Sequence, residues 1–308
     1  MCADTRRRPT PEAVDGLLLL NKPAGLTSNQ ALQKVKRLLN AKKAGHTGSL
    51  DPAATGMLPL CFGEATKVCA YLLDADKTYR VGARLGVETD TGDADGKVTA
   101  TASIPALNSN EWQQLLSKFV GPIMQVPPMY SALKKDGKRL YELARQGQVV
   151  ERAARPVRID SMELLEASGS RLLFRVRCSK GTYVRTLVED IANAAGTVAH
   201  VSSLHREAVG RFSAESMLDL EAAEKAAEGD AAALRKCLLP ADTALADWPS
   251  ACISDEDAGR FTGGQRVHWS GDTSMPDRLV RVYGNDRTFL GVGQLDHEGW
   301  LAPKRIFR

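Results

Sequence analysis

Residues 45–56 have the sequence Gly-His-Thr-Gly-Ser-Leu-Asp-Pro-Ala-Ala-Thr-Gly, and we call this stretch the signature loop. It contains three glycines, one proline, one histidine and a single acidic residue, Asp51. Glycine permits positive φ angles and close backbone approach, whereas proline fixes φ and removes a hydrogen-bond donor. This composition predicts a shaped loop rather than a helix or a plain strand. A surface turn is an equal alternative on local grounds, because Asp before Pro favours turn initiation.

The composition is that of a globular protein large enough for two domains, with 308 residues, of which 43% are hydrophobic and 25% charged. The net charge of +4 is small but unevenly distributed. Residues 134–158 contain eight Lys or Arg against three acids, whereas residues 205–260 contain six against twelve. A basic segment of this kind favours a localised contact with a polyanion.

The cysteines and the N-terminus predict a cytoplasmic protein. The six cysteines include no Cys-x-x-Cys pair and none has a histidine at zinc-ligand spacing, so neither a zinc site nor a disulfide framework is indicated. The apolar run at residues 17–20 is too short for a signal or membrane segment, which argues against a membrane partner. Residues 1–13, which include three consecutive arginines, are predicted to form a disordered arm.

Apolar periodicity predicts alternating strands and helices. A buried strand ends at Pro23, and Thr27 and Gln30 form a capping box before an apolar stripe at helical spacing. Residues 77–85 alternate as a strand with Tyr79 at the end of its inner face, where the hydroxyl either reaches a cleft or packs in the core. Paired strands are predicted at residues 157–165 and 171–178, a helix at 215–239, and short strands at 263–267, 279–283 and 288–295.

Arg185 occupies an unusual position at the start of a predicted helix that ends near residue 195. The helix dipole disfavours a cation in the first turn. Either Arg185 has a carboxylate partner elsewhere in the fold, or it is held at the surface by Glu189, four residues on.

The segment around residues 123–156 is predicted to leave the core, because it contains adjacent prolines and many polar residues. Tyr130 and Tyr141 are interleaved with its basic residues, a combination that single-stranded nucleic acid contacts need. An ordinary solvated basic loop is the alternative. The candidate RNA-binding residues in this insert are Lys134, Lys135, Lys138 and Arg139.

Several motifs occur in order along the chain. They are Asn21-Lys22-Pro23-x-Gly25-x-Thr27-Ser28, the signature loop, Lys77-x-Tyr79, Glu88-Thr89-Asp90-Thr91-Gly92-Asp93, Gln125-x-Pro127-Pro128-x-Tyr130-Ser131-Ala132 and Cys178-Ser179-Lys180-Gly181-Thr182-Tyr183-x-Arg185-Thr186. Together they resemble the TruB family of tRNA pseudouridine synthases, from about residue 14 to 212 and more weakly beyond. Ser49 stands where the family often has Thr, and His205 stands where a second basic residue is common beside Arg206, which weakens any phosphate contact there.

This resemblance implies an isomerase that converts the T-loop uridine of tRNA (position 55) to pseudouridine, without a metal or an organic cofactor. It implies an α+β fold with a mixed, largely antiparallel sheet and flanking helices. The catalytic domain would span residues 14–245, with the RNA-binding insert at about 123–156, and residues 246–308 would form a small β-rich, PUA-like module. The expected partner is the tRNA T-arm, bound by a monomer with no obligatory protein partner.

The resemblance also assigns roles to individual residues. Pseudouridine formation breaks the N1–C1′ bond and joins C1′ to C5, and a carboxylate such as Asp51 can trap or stabilise the electron-poor sugar carbon. Arg185 matches the arginine that keeps this carboxylate ionised, and Tyr79 matches the tyrosine that lies against the uracil. His46 matches the residue that enters the T loop in place of the flipped base. Supporting or substrate-binding residues are Lys22, Tyr183 and Leu204.

Two other functions fit the same sequence. The basic insert and the PUA-like tail are sufficient for an RNA-binding or RNA-folding module without catalysis, although Asp51, Tyr79 and Arg185 are all present. The catalytic core also resembles guide-RNA-dependent synthases of the dyskerin type. The basic insert is typical of the stand-alone enzymes and favours a guide-independent one.

Overall fold

A computed structural model describes residues 10–131, 133–135, 137–271 and 277–307. Residues 1–9 of the predicted arm therefore lie outside the described part of the chain. The strands are β1 Gly16–Lys22, β2 Ala44–His46, β3 Thr55–Phe62, β4 Lys77–Leu85, β5 Val87–Thr89, β6 Val98–Thr101, β7 Gly121–Gln125, β8 Lys134–Lys135, β9 Lys138–Arg139, β10 Arg155–Ser168, β11 Arg171–Cys178, β12 Ala199–Val209, β13 Leu218–Asp219, β14 Ser250–Cys252, β15 Val267–His268, β16 Leu279–Tyr283, β17 Phe289–Leu295 and β18 Trp300–Ile306. The helices are α1 Ser28–Leu38, α2 Cys69–Asp74, α3 Ser109–Ser117, α4 Leu140–Arg145, α5 Val184–Ala194, α6 Leu220–Ala226, α7 Ala232–Lys236 and α8 Asp255–Thr262, with 3₁₀ helices at Gly63–Val68, Ala214–Ser216 and Ala241–Leu245.

The main sheet has the order β13-β1-β3-β12-β4-β11-β10-β7, with β2 alongside β3. Only β1 with β13 and β3 with β12 pair in parallel among its described strands. The sheet is therefore mixed and largely antiparallel, which confirms the predicted α+β class.

Strand β4 lies at the centre of this sheet, between β11 and β12. Val81, Ala83 and Leu85 are buried on its inner face, whereas Arg80 and Arg84 are exposed on the other, as the alternation predicts. Helix α5 packs on the inner face, and its apolar stripe joins the same core. Each fully buried aliphatic or aromatic side chain stabilises this packing by about 1.5–3 kcal/mol.

The signature loop is shorter than predicted. Strand β2 ends at His46 and β3 begins at Thr55, so only residues 47–54 lie outside strands. Gly56 has φ +98°, and a Cβ there would overlap the backbone of Arg206 on β12. This glycine is thus required by close strand pairing rather than by clearance for a ligand.

The insert leaves and rejoins the main sheet at its edge, because Gln125 of β7 pairs with Arg155 of β10. Its described residues form the β8–β9 hairpin and helix α4. The insert is therefore connected to the last two strands at one edge of the sheet and not to its central strands.

The C-terminal strands form a second sheet, in the order β14-β16-β17-β18-β15. Helix α8 was not predicted, and the strand expected at residues 263–267 is only the two-residue β15. The helix predicted over residues 215–239 is two short helices, α6 and α7, separated by Gly229 and Asp230. The module contacts the main domain through an apolar cluster that contains Leu17 and Val292, so its core is shared.

Candidate active site

A cleft of about 920 Å³ opens where the signature loop, β4, the insert and the first turn of α5 meet. Six of the residues predicted for the site line this cleft: Asp51, Tyr79, Arg139, Tyr183, Arg185 and Leu204. Lys22, His46, Lys134 and Lys138 are not part of its wall. The side chain of Lys135 lies outside the described part of the structure.

Arg185 faces Asp51 across the cleft, with 3.3 Å between Nε and Asp51 Oδ2. The guanidinium is anchored by the carbonyl oxygens of Tyr130 (2.7 Å from Nη2) and Thr91 (2.9 Å from Nη1), and by Asp93, whose Oδ2 lies 3.5 Å from Nη1. These acceptors explain why a cation is stable in the first turn of α5.

The alternative partner Glu189 does not make an ion pair with Arg185 in the described structure. Its carboxylate instead lies against Gly92, where a Cβ would be 2.5 Å from Glu189 Oε1.

Asp51 is 48% exposed along the cleft, whereas Arg185 is only 9% exposed. The pKa of Asp51 is nevertheless raised above its ordinary value, mainly because protein encloses the carboxylate on its other sides. Arg185 and Lys22 lower this pKa, and Asp93 raises it. Arg185 therefore opposes the effect of burial on the nucleophile candidate without fully cancelling it.

The two neighbours of Asp51 in the chain are fixed by the segment of residues 22–28. Lys22 is fully buried, and its Nζ donates to the carbonyls of Pro23, Leu26 and Pro52 at 2.9, 2.7 and 3.2 Å. The Ser28 hydroxyl accepts from the Leu50 amide at 2.8 Å. Burial lowers the pKa of Lys22 to about 8. Lys22 thus supports the loop at the residue after Asp51.

Arg206 also supports the loop, a role that the sequence did not reveal. It is 1% exposed, and its Nε and Nη2 donate to the carbonyls of Met57 (2.6 Å) and Gly48 (3.0 Å). It is therefore buried beneath the loop, not exposed as a phosphate contact would be. Period-two alternation puts Arg206 on the same face of β12 as Leu204, and a charge at such an inward position is the signal that could have identified it.

Tyr79 lies in the cleft wall and packs against the main core. Burial raises the pKa of its phenol, whereas the neighbouring Arg206 lowers it. The phenol is therefore neutral near pH 7.

Tyr183 immediately precedes α5 and is held by the side chain of Gln125. Its amide donates to Gln125 Oε1 at 2.7 Å, and its carbonyl accepts from Gln125 Nε2 at 3.1 Å. This clamp joins the first turn of α5 to the edge strand from which the insert departs.

In the insert, Arg139, Tyr141 and Arg145 form a stack. The two guanidiniums lie 5.8 and 5.5 Å from the centre of the Tyr141 ring. Lys134 and Lys138 are exposed on the β8–β9 hairpin. The insert therefore presents an aromatic and basic surface at the cleft and further positive charge outside it.

His46 ends β2, opposite Leu60 of β3. Its Nδ1 is buried without a hydrogen-bond partner in the described structure, and burial lowers the pKa of its imidazole. A neutral ring is suited to stacking rather than to charge pairing.

In the described part of the chain, no three residues among His, Cys, Asp and Glu are grouped as ligands for a metal ion. No described helix has both the length and the apolar character needed to cross a bilayer.

The chain is similar to known families and proteins along nearly its whole length. Residues 36–184 match the TruB family pseudouridylate synthase N-terminal domain, residues 185–246 the tRNA pseudouridylate synthase B C-terminal domain, and residues 249–307 the C-terminal region of pseudouridine synthase II TruB. A tRNA pseudouridine synthase B of Pseudomonas putida is 50% identical over 300 residues, covering 96% of both chains. The protein of the same name from Ectopseudomonas mendocina is 51% identical over 294 residues, covering 95% of both.

Solved structures have the same fold. One chain of a Cbf5-Nop10-Gar1 complex has a TM-score of 0.74 at 26% identity, covering 98% of this chain and 88% of that one. A chain of an H/ACA RNP bound to a substrate RNA containing 2′-deoxyuridine has a TM-score of 0.73 at 24% identity, covering 95% and 85%. The sequence relatives and the matched domains extend over nearly the whole length, and the chain therefore belongs to the TruB family of pseudouridylate synthases.

Proposed function

We propose that this protein converts the T-loop uridine of tRNA, at position 55, to pseudouridine, with Asp51 as the nucleophile and the uridine flipped out of the RNA stack. Family membership and the tRNA pseudouridine synthase B relatives support the coarser function, pseudouridine formation in tRNA by an isomerase. The observation that carries the finer proposal is the exposed Asp51 carboxylate paired with a buried, anchored Arg185 in one cleft.

The reaction makes few demands beyond a carboxylate and an enclosed site. The N1–C1′ bond breaks, the base turns, and C1′ joins C5, so no water has to be activated. The base must leave the stack before it can turn, which costs a few kcal/mol of unstacking. A cleft of about 920 Å³ has room for a nucleotide and its rotated base.

The residues predicted for the reaction each have a role in it. Asp51 attacks or stabilises C1′, and Arg185 favours its ionised form. The neutral Tyr79 phenol stacks on the uracil or relays a proton, since a phenol with a raised pKa is a poor base at neutral pH. Leu204 and Tyr183 complete the walls, and Lys22 supports the backbone at Pro52.

RNA binding is assigned to surfaces around the cleft. Arg139, Lys134, Lys135 and Lys138 of the insert contact phosphates of the T-arm, and His46 fills the space that the flipped base leaves. The protein acts as a monomer in the cytoplasm, without a guide RNA, a protein partner or a cofactor. One structural neighbour is described as a complex with Nop10 and Gar1, and that composition belongs to the neighbour.

Replacing Asp51 by asparagine tests the catalytic role. Asp51→Asn should abolish pseudouridine formation on unmodified tRNA and leave tRNA affinity within about threefold. Asp247→Asn, at a 75% exposed aspartate far along the chain, is the matched control and should behave as wild type. Near-normal turnover of Asp51→Asn would refute the nucleophile.

A second assay separates a stand-alone enzyme from the alternatives. A bare T-arm, without guide RNA or protein partners, should be modified at the T-loop uridine. Binding without modification would indicate an RNA-binding module, and modification only after addition of a guide RNA would indicate a guide-dependent synthase.

A further inference from the structure

The segment of residues 125–130, Gln-Val-Pro-Pro-Met-Tyr, leads from the end of β7 into the insert, and we call it the strap. Both of its ends contact the start of α5. At one end the Gln125 side chain binds the backbone of Tyr183, and at the other the Tyr130 carbonyl accepts from Arg185 Nη2 at 2.7 Å. The Gln125 side chain is not part of the cleft wall, so any effect on the reaction acts through another residue.

Gln125 supplies hydrogen-bond partners that the start of α5 does not supply for itself. The first amides of a helix have no partner within the helix, and the Tyr183 side chain does not cap α5. Gln125 instead accepts from the Tyr183 amide at 2.7 Å and donates to the Tyr183 carbonyl at 3.1 Å. Gln125 is 2% exposed, so little water competes for these bonds. The two contacts therefore fix the start of α5 relative to β7.

The position of Arg185 depends on that of Tyr183, because Tyr183 directly precedes α5 and Arg185 is the second residue of the helix. Their backbones are about 3 Å apart along the helix axis. A displacement of the first turn therefore moves the guanidinium as well. Arg185 Nε lies 3.3 Å from Asp51 Oδ2, and a displacement of about 1 Å would weaken this ion pair.

The strap also determines where the Tyr130 carbonyl lies. Pro127 and Pro128 fix two of its φ angles and have no amide donor, which restricts the conformations between Gln125 and Tyr130. Gln125 is thus at the start of the segment that carries an acceptor of Arg185, and it also holds the helix that carries Arg185 itself.

We propose that Gln125 is a positioning residue, which holds Arg185 beside Asp51 by binding the backbone of Tyr183. This role rests on the proposed function, in which Arg185 favours the ionised form of Asp51. Without the two bonds of Gln125, the guanidinium would be farther from the carboxylate on average. Less of the ionised carboxylate would then be present at neutral pH.

The pKa of Asp51 distinguishes positioning from a purely structural role. Burial raises this pKa, and Arg185 is the strongest influence that lowers it. Lys22 lowers it as well, whereas Asp93 and Asp95 raise it. A loss of stability alone leaves these charges in place in the folded protein. A displaced Arg185, in contrast, raises the pKa of Asp51.

Gln113 offers a matched control, because its side chain makes the same pair of bonds elsewhere in the fold. Its Oε1 accepts from the Leu164 amide at 2.7 Å, and its Nε2 donates to the Met162 carbonyl at 3.2 Å. These bonds join α3 to β10, and Gln113 does not line the cleft. Gln113→Met therefore removes the same two kinds of bond as Gln125→Met, but not at the start of α5.

Two measurements on the full-length protein test the proposal. Carbon-13 NMR of aspartate-labelled protein gives the pKa of Asp51, with Asp51→Asn to assign its signal, and single-turnover kinetics gives the rate of pseudouridine formation. Gln125→Met should raise the pKa of Asp51 by about one unit and lower the rate about tenfold, with the Kd for tRNA unchanged within about threefold. Gln113→Met should match the wild type in all three quantities, although both variants should unfold at a lower urea concentration.

A milder variant covers the case in which Gln125→Met does not fold. Gln125→Asn keeps the amide group on a side chain one methylene shorter, which cannot span both backbone partners at their present distances. It should lower the rate about threefold and raise the pKa of Asp51 by about half a unit.

Two results would overturn the proposal. One is a pKa of Asp51 and a rate that are the same in the Gln125 variants as in Gln113→Met. The other is a lower rate with an unchanged pKa of Asp51, which would indicate a structural role only. The NMR measurement does not require turnover, so a wild-type protein that forms no pseudouridine would refute the proposed function and leave the test of Gln125 intact.

Discussion

Replacing Arg206 by methionine removes a buried guanidinium while keeping much of its length. Arg206 Nε and Nη2 are the donors to the carbonyl oxygens of Met57 and Gly48. In the variant the buried Met57 carbonyl loses its donor, and so does the half-buried Gly48 carbonyl, which lies at the wall of the cleft. We therefore expect Arg206→Met to lower both the stability of the fold and the activity of the cleft.

The size of the stability effect can be worked from these contacts. The orphaned Met57 acceptor is buried and costs about 1–3 kcal/mol, whereas the Gly48 acceptor at the cleft costs less because water can replace the donor. Removing the charge returns part of the desolvation penalty of a buried ion. A net loss of about 1–3 kcal/mol follows. Arg206→Lys should lose less but not recover wild-type stability, because a single ammonium does not reproduce a fork that spans two carbonyls.

Equilibrium unfolding in urea measures this loss, with kcat for pseudouridine formation measured on the same samples. The rate should fall with stability, because Gly48 belongs to the signature loop three residues before Asp51. Arg84→Met, at an exposed arginine on β4, is the matched control and should change stability by less than about 0.5 kcal/mol. If Arg206→Met is as stable as Arg84→Met and fully active, the supporting role is refuted.

Other changes test the remaining parts of the site. Asp93→Asn weakens an anchor of Arg185, so kcat should fall about tenfold or more with little change in tRNA affinity, measured by single-turnover kinetics. The pKa of Glu189 is about 7 in the folded state against an ordinary value of 4.5. Between these two pH values the native state binds more protons than the unfolded state, so the protein loses stability as the pH rises from 4.5 through 7. Glu189→Gln should therefore gain about 1–3 kcal/mol of unfolding free energy over wild type at pH 8 and almost none at pH 4.5, by urea titration. Replacing Lys134 and Lys138 by glutamine should flatten the salt dependence of log Kd for tRNA by about 1.5, whereas an unchanged slope would make them solvated surface residues.

The parts of the fold that the sequence predicted have uninterrupted local patterns. The capping box of Thr27 and Gln30 is present at the start of α1. The alternation of β4 and the pairing of β10 with β11 are present as well. In each of these helices and strands one face is apolar along its length. The residues that the sequence pattern places on that face are therefore the ones buried in the core.

The wrong predictions of secondary structure fall where tertiary contacts, rather than the local sequence pattern, determine where a helix begins and ends. Residues 215–239 contain enough alanine for one helix, but Gly229 has φ +80° and the chain turns there between α6 and α7. Helix α8 was missed although Ser254 caps it by accepting from the Asp257 amide at 3.2 Å, because its apolar stripe is short. The domain boundaries at residues 13 and 245 remain predictions.

The sequence named six residues that line the cleft, but it did not reveal the hydrogen bonds that hold them in place. Asp51 and Arg185 could be named because each is unusual for its local setting, a single acid in a glycine-rich loop and a cation at a helix start. The contacts that Lys22 and Arg206 make could not be predicted, because their acceptors are carbonyl oxygens, which every residue carries. Arg206 and Gly48 are 158 residues apart in the chain, and no side-chain pattern links them.

These supports bear on the chemistry of Asp51 itself. Burial and Asp93 raise its pKa, and the bound nucleotide would bury it further and raise the pKa again. If Arg185 could move away from Asp51, the Asp51 carboxylate would be protonated when its ionised form is needed for the reaction. The carbonyls of Thr91 and Tyr130 prevent this, because they hold the guanidinium from both terminal nitrogens while leaving Nε toward Asp51. Lys22 and Ser28 likewise fix Pro52 and Leu50 on either side of the carboxylate. The ionised state of Asp51 therefore depends on backbone anchors at both partners, and weakening either anchor should shift the acid limb of the kcat profile to higher pH even where Asp51 and Arg185 are unchanged.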